Sequence, residues 1–555
     1  MEVAPLDIAI ISLLLIISAV GIATRSSRVP YPVALVLAGL LLGTLLRSPL
    51  PFVDGFEFDV IHLTPHLILV LFLPALLFEA ALHIEGATLR KSLLPIGLLA
   101  IPGVLLTAAI VGALVYWGVG LDWPTALLFG AIVAATDPIA VLAIFQRTGA
   151  PHDLAMLVEG ESLFNDGTAV VLSRILIGVV LTGAFDIAGG VLDFALVVGG
   201  GLLVGGVAGA VVSRLTARID DHLIEITLTT ILTYGTFILA EALHFSGVIA
   251  VVTAGLVLGN IGTRRGMSPT TRLALLTFWE YIAFLLNSAI FLLIGLEIDL
   301  SKLLVDLLPA IVAIGAVLLA RAVVVYGLGL IVLPLPPVLP RRWLHALFWS
   351  GLRGAVSLAV VLSLPFDLPM RDLLLNLTFG VVLFTLLVQG LTMEPLVRWL
   401  GLSGDDHQRR AYQLRRAQLL TLRAAWRELR RLEDDAVLSP RVFAQLNAEY
   451  QAAGQQLDRE LDGLYQNQSE LEAQELRSTR TQLLRVERTT LQELFRQGAV
   501  DTETVQKLAA EIDARLVAVS HGGDPEPPAS KPEEDERPVS QPGATDAQPT
   551  QEPTS

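Results

Sequence analysis

LAMLVEGESLFNDGTAV, residues 154–170, sets Glu161, Ser162, Asn165 and Asp166 inside a run that is otherwise largely apolar. At about 100° per residue, Glu161, Asn165, Ser162 and Asp166 fall at roughly 0°, 40°, 100° and 140° around a helix, on one shared face. Asp166 stands about 12 residues into the run, so about 18 Å into a hydrocarbon core of about 30 Å. Four polar side chains stacked at that depth do not make a lipid-facing stripe. A helix-to-helix hydrogen-bond network would explain some of them, but two carboxylates exceed what such a network needs. Charged groups inside a membrane span are costly and mark function.

The rest of the chain agrees with a membrane reading. Its 555 residues are 53% hydrophobic and only 16% charged, against about 25% charged in soluble domains. The length allows roughly a dozen spans and a soluble extension. There is no cysteine, which excludes disulfides, thiolate catalysis and cysteine metal sites. The net charge of −15 argues against nucleic acid as a partner. Much of it sits at residues 521–555, where Asp524, Glu526, Glu533, Glu534, Asp535, Glu536, Asp546 and Glu552 outweigh Lys531 and Arg537.

Thirteen apolar stretches follow one another: 7–24, 32–46, 64–83, 94–118, 124–146, 154–182, 187–213, 223–241, 245–259, 273–296, 303–332, 343–364 and 372–397. The fourth, sixth, seventh and eleventh are long enough to require tilt or a break. The first lacks the basic flank of a signal peptide, with Glu2 and Asp7 ahead of it, and reads as an uncleaved span. Loop charges divide unevenly. Arg25, Arg28, Arg90, Lys91, Arg147, Arg214, Arg218, Arg264, Arg265, Arg272, Arg341 and Arg342 fall on one side, and Arg47, Lys302 and Arg371 on the other. The positive-inside rule then puts the N-terminus outside and the C-terminus in the cytoplasm, which requires an odd number of spans.

Two stretches in corresponding positions of the two halves are interrupted. The fifth carries Thr136-Asp137-Pro138 and the twelfth Gly351-Leu352-Arg353-Gly354. Paired broken helices are the sequence sign of an inverted-repeat transporter with its site at mid-membrane. Pro138 removes one N–H and disfavours helix at residue 137. Asp137 therefore suits a cap for the half-helix beginning at Pro138, and freed carbonyls such as that of Thr136 become cation ligands. Arg353 needs a carboxylate partner, for which Glu161 is favoured over Asp137. Arg321 poses the same question, with Glu241 and Glu280 both open as answers. Glu79 reads either as an interfacial acid reaching for water or as a second ligand in a cytoplasmic funnel.

Hard monovalent cations take oxygen ligands, and these residues offer carboxylate, hydroxyl and carbonyl oxygen. A desolvated carboxylate is stabilised by a proton or by a cation, one at a time. Competition for one carboxylate, joined to alternating access, makes an exchanger with no further energy source and no cofactor.

The chain resembles the monovalent cation:proton antiporter-1 family, which includes NhaP-type bacterial sodium/proton antiporters and the eukaryotic sodium/proton exchangers. The resemblance spans about residues 5–400. It is carried by Phe72-Leu73-Pro74 through Phe78-Glu79-Ala80, Ala135-Thr136-Asp137-Pro138, Glu159-Gly160-Glu161-Ser162-Leu163-Phe164-Asn165-Asp166-Gly167, Phe245 to Ala250, Phe278-Trp279-Glu280 and Gly351 to Ala355. It implies an all-α polytopic fold with about 13 transmembrane helices, an inverted repeat, and broken helices 5 and 12 that cross. It implies a homodimer whose core domain moves against a dimerisation domain. It implies Na+ (with Li+ and K+ open) held by Asp166, Ser162, the Thr136 carbonyl and Glu79, with Asn165 steadying the site and Glu161 paired to Arg353. The Asn165-Asp166 pair implies electroneutral exchange, since electrogenic relatives carry Asp-Asp there.

Residues 401–555 suggest no family match, and residues 401–520 read as amphipathic cytoplasmic helices, for example through Leu414, Leu419, Leu422 and Trp426. They form a packing or dimer-supporting appendage, with regulation as the alternative. Residues 521–555 have the composition of a disordered tail. Rival functions are a non-transporting sensor, a proton-coupled carrier of another solute, and an intramembrane serine hydrolase using Ser162 with His244 or His345. The last lacks any recognisable base motif. The expected location is a cell membrane, by preference a bacterial inner membrane.

Overall fold

A computed structural model describes residues 5–24, 29–47, 67–183, 186–219, 221–263, 267–332, 340–403, 406–435, 437–466, 469–497 and 499–520. The expected disordered tail and Arg25, Arg28, Arg264 and Arg265 of the loop-charge argument lie outside the described residues. Among the described residues every regular element is helical.

Helices α1 (Pro5–Thr24) and α2 (Tyr31–Leu46) come first. A π-helical segment, Leu67–Phe72, then runs into α3 (Leu73–His83). Next are α4 (Gly86–Ala100), α5 (Pro102–Val119), α6 (Trp123–Ile132), α7 (Ile139–Thr148) and α8 (His152–Thr182). They are followed by α9 (Ile187–Thr216), α10 (His222–Ala242), α11 (Gly247–Val257) with a π-helical end at Leu258–Gly262, and α12 (Pro269–Glu297). After α13 (Leu300–Val305) and α14 (Leu307–Val332) stand α15 (Arg341–Trp349), α16 (Ala355–Leu362), α17 (Arg371–Phe384) and α18 (Gly390–Trp399). Among the described residues, seven helical segments are long and apolar enough to cross a membrane unaided. Shorter helices make up the remaining apolar stretches.

Polar residues that interrupt the apolar pattern act as helix starts. Asp122 accepts from the Thr125 N–H, Asp221 from those of Leu223 and Ile224, Ser246 from Ile249 and Ser268 from Thr271. Each satisfies a donor that the first helical turn leaves without a partner. At the far ends, Gly120 and Gly149 stop α5 and α7 with φ of +83° and +69°, a backbone state that glycine adopts without strain.

A close backbone approach joins α2 to α12. A methyl group placed on Gly39 would overlap the Leu292 carbonyl and meet the Leu296 nitrogen at 2.9 Å. One placed on Gly43 would meet the Leu296 carbonyl at 2.6 Å. Small residues on facing helices are how membrane helices pack without a hydrophobic drive from water.

The chain divides into two units, Met1–Asp406 and His407–Ser555. In the second, α19 (Asp406–Asp434) and α20 (Pro440–Gln466) form an antiparallel pair through Leu419, Leu457 and Leu461. The Trp426 indole donates to Asn447 at 2.8 Å, and Arg415 pairs with Glu460 at 2.8 Å. Helices α21 (Ser469–Arg496) and α22 (Thr502–Ser520) pair through Leu484, Leu491 and Ile512. Asp501 caps the last helix, and the Thr504 N–H holds its carboxyl below the usual range.

Candidate functional site

Two interruptions build the site. Residues 133–138 between α6 and α7, and 350–354 between α15 and α16, are not helical. Their freed backbone groups find each other. The Asp137 N–H donates to the Leu352 carbonyl at 2.8 Å, and the Ser357 hydroxyl donates to the Ile132 carbonyl at 2.8 Å. The Asp137 carboxylate accepts from the Ile139 N–H at 3.0 Å and from the Ala355 N–H. It therefore caps α7, which begins at Ile139 rather than Pro138, and α16 as well. Gly354 is required beside it, because any β-carbon there would overlap the Asp137 carboxylate.

Helix α8 lies against this crossing. Glu161, Ser162 and Asn165 are each 2% exposed and Asp166 is 7% exposed. Asn165 grips Thr136 twice: its amide nitrogen donates to the Thr136 hydroxyl at 2.7 Å, and its oxygen accepts the Thr136 N–H at 3.2 Å. The Ser162 hydroxyl donates to the Thr136 carbonyl, which holds those two oxygens side by side. Asp166 Oδ1 is buried and has no hydrogen-bond partner among the described residues. A buried polar atom left so is expensive unless something else meets it.

One cavity of about 140 Å³ joins these groups. Glu79, Thr136, Asp137, Ser162 and Asp166 all line it, as do Glu159 and Asn287. Glu79 is 23% exposed and pairs with His83 at 3.2 Å. A larger cavity of about 440 Å³ lies elsewhere, bordered by Ile17, Tyr31, Arg147 and Phe284. No acid is among the described residues lining it. Among the described residues no three His, Asp or Glu side chains form a metal-binding group. Any cation here must therefore draw on hydroxyl, amide or carbonyl oxygen as well as carboxylate.

The expected pairing of Glu161 with Arg353 is corrected by the structure. Glu161 pairs with Arg321, whose two terminal nitrogens reach both carboxylate oxygens. Arg321 also donates to the Leu347 carbonyl at 2.8 Å. Arg353 lies in the non-helical stretch, where its own backbone is within reach: its guanidinium donates to the Gly351 carbonyl at 2.9 Å. It still faces the charges of Glu161 and Asp166. Neither acid left open for Arg321 is its partner. Glu241 pairs with Arg174 at 3.2 Å and accepts the Gly247 N–H, and Glu280 is exposed. The hydrolase reading finds no base here: no histidine is among the described residues lining the cavity, and His345 shares a hydrogen bond with Tyr326.

Sequence reasoning missed Asn287. Its only signal was an amide beside Ser288 within the apolar run of α12.

The transmembrane sodium/hydrogen exchanger family matches residues 10–399. The chain is 40% identical over 515 residues to the Na(+)/H(+) antiporter ApNhaP of Aphanothece halophytica, covering 89% of this chain and 94% of that one. It is 38% identical over 506 residues to the Na(+)/H(+) antiporter NhaG of Bacillus atrophaeus, covering 90% and 94%. These matches extend past residue 399, so the C-terminal helices share in a likeness that the sequence alone did not suggest. Among solved structures, the sodium proton antiporter MjNhaP1 of Methanocaldococcus jannaschii shares the fold with a TM-score of 0.58 at 23% identity, over 72% of this chain and 98% of that one.

Proposed function

From the membership of this chain in the sodium/hydrogen exchanger family, we propose that it is a secondary antiporter that exchanges Na+ for H+ across a membrane. The observation that carries the reading is Asp166 Oδ1, buried and without a hydrogen-bond partner among the described residues in a cavity it shares with Ser162, Thr136 and Glu79. A proton or a sodium ion satisfies that oxygen, and the two compete. The Ser162 hydroxyl, the Thr136 carbonyl and Glu79 complete an oxygen shell for the cation. Asn165 holds Thr136 in place, and Asp137 fixes the two interrupted helices against each other. Asn165 is an amide committed to two hydrogen bonds, so it takes no proton, and one cation exchanges for one proton. Li+ and K+ are further substrates to test.

The protein acts as a homodimer, spans a cell membrane several times, and has its N-terminus outside and its C-terminus in the cytoplasm. Residues 1–400 carry the transport, and residues 401–520 form a separable helical domain. It is a transporter and not an enzyme, and it uses no cofactor.

The test is purified protein in liposomes holding a pH gradient, with a pH-sensitive dye and sodium, lithium or potassium added in turn. We expect sodium to collapse the gradient in the wild type and not in Asp166→Asn. The apparent KM for sodium should rise as pH falls, because protons compete for the same carboxylate. A folded wild type that no cation discharges would overturn the proposal in favour of a sensor or a different solute.

A further inference from the structure

We infer that Asn287 supplies a further oxygen ligand to the transported cation, from a helix outside the crossing. This rests on the antiporter reading above and adds a specificity-determining residue to it. Asn287 lines the same cavity as Asp166, Ser162 and the Thr136 segment. Its side-chain oxygen, like Asp166 Oδ1, is buried and has no hydrogen-bond partner among the described residues. Two such oxygens, one charged and one neutral, on residues that line one small cavity are costly in the absence of a donor and complementary to a cation. The carboxylates do not group tightly enough to hold an ion on their own, so a neutral amide oxygen fills out a shell built from Asp166, Ser162 and Thr136.

The placement of Asn287 gives it a distinct role. Asp166, Ser162 and Thr136 lie on α8 and the crossing, which are tied together by hydrogen bonds. Asn287 lies on α12, which is locked to α2 by backbone contact at Gly39 and Gly295. Its oxygen therefore comes from a helix other than those that carry Asp166, Ser162 and Thr136. Movement of α8 and the crossing against α12 removes this ligand and leaves the others intact. Asn287 strengthens binding in one state of the cycle and is lost in the next, which favours release of the ion. An amide oxygen at a fixed wall also sets the size of the shell, and so the choice among lithium, sodium and potassium.

The test compares wild type, Asn287→Ala, Asn287→Gln and Asp166→Asn in the same liposomes, measuring KM and maximal rate for each of the three cations. For Asn287→Ala we expect the sodium KM to rise by about tenfold, the loss of one charge-assisted contact, with maximal rate largely kept. The ratio of sodium to lithium KM should change, and Asn287→Gln should restore binding in part with an altered ratio. Stabilisation of the purified protein against heat by sodium should weaken in parallel. An Asn287→Ala protein with wild-type KM and ion preference overturns the inference while the antiporter reading stands. Equal loss of rate for all three ions with no change in KM would make Asn287 structural and also overturn it. A wild type inert to every cation would fail the antiporter reading itself.

Discussion

On the function proposed above, a single amide bears on how charge moves through this protein. Asn165 spends both ends of its side chain on Thr136, where an aspartate would add a second titratable carboxylate beside Asp166. Exchange by the wild type should therefore be indifferent to membrane potential. Asn165→Asp should make the rate respond to an imposed potassium diffusion potential, measured with valinomycin in the same liposomes. A variant as insensitive as the wild type would remove Asn165 from the stoichiometry. At this scale much of the candidate site was legible in the sequence. The polar face of residues 161–166 needs only helical periodicity to be seen, and Thr136-Asp137-Pro138 needs only the chemistry of proline. Ion pairing was less legible. Whether Glu161 meets Arg321 or Arg353 depends on how α8, α14 and the non-helical stretch at 350–354 are rotated and staggered, and spacing within one chain carries no such information. Asn287 stayed hidden because an uncharged amide in an apolar run breaks no rule.

Helices disclose their interruptions more readily than their contacts. Pro138 and the Gly351–Gly354 pair marked the two breaks beforehand. Of the four stretches thought too long, the fourth divides between α4 and α5, where Pro102 begins the second piece, and the eleventh divides at Asp306. The other two, α8 and α9, run unbroken for 31 and 30 residues. The α2–α12 seam was unreadable because glycines are common in membrane spans and nothing local says which of them touch. We expect Gly39→Ala to destabilise the protein by roughly 1–3 kcal/mol, the usual cost of overpacking a well-filled contact. Gly97→Ala, where an added methyl meets nothing within 4 Å, serves as control. Thermal unfolding in detergent should show a lower midpoint for the first and little change for the second. Equal midpoints would mean that the seam adjusts without cost.

For the whole molecule, the division into Met1–Asp406 and His407–Ser555 separates the intramembrane polar groups from the C-terminal helices. A chain ending near residue 405 should still discharge a pH gradient on addition of sodium. A folded, inactive truncation would show that the C-terminal helices are needed for the cycle. The likeness to ApNhaP runs beyond the membrane helices.

The bonds of Asp137 also bear on the electrostatics of the crossing. Both α7 and α16 begin at its carboxylate. A helix start carries roughly half a positive charge from its aligned peptide dipoles, so two starts present about one unit, which a single carboxylate balances. A carboxylate at Asp137 is thus matched by the backbone at these two helix starts. An acid lodged in the break itself then serves as a counterion to the fold, and on the function proposed above it is Asp166, its neighbour on α8, that is left to meet the ion.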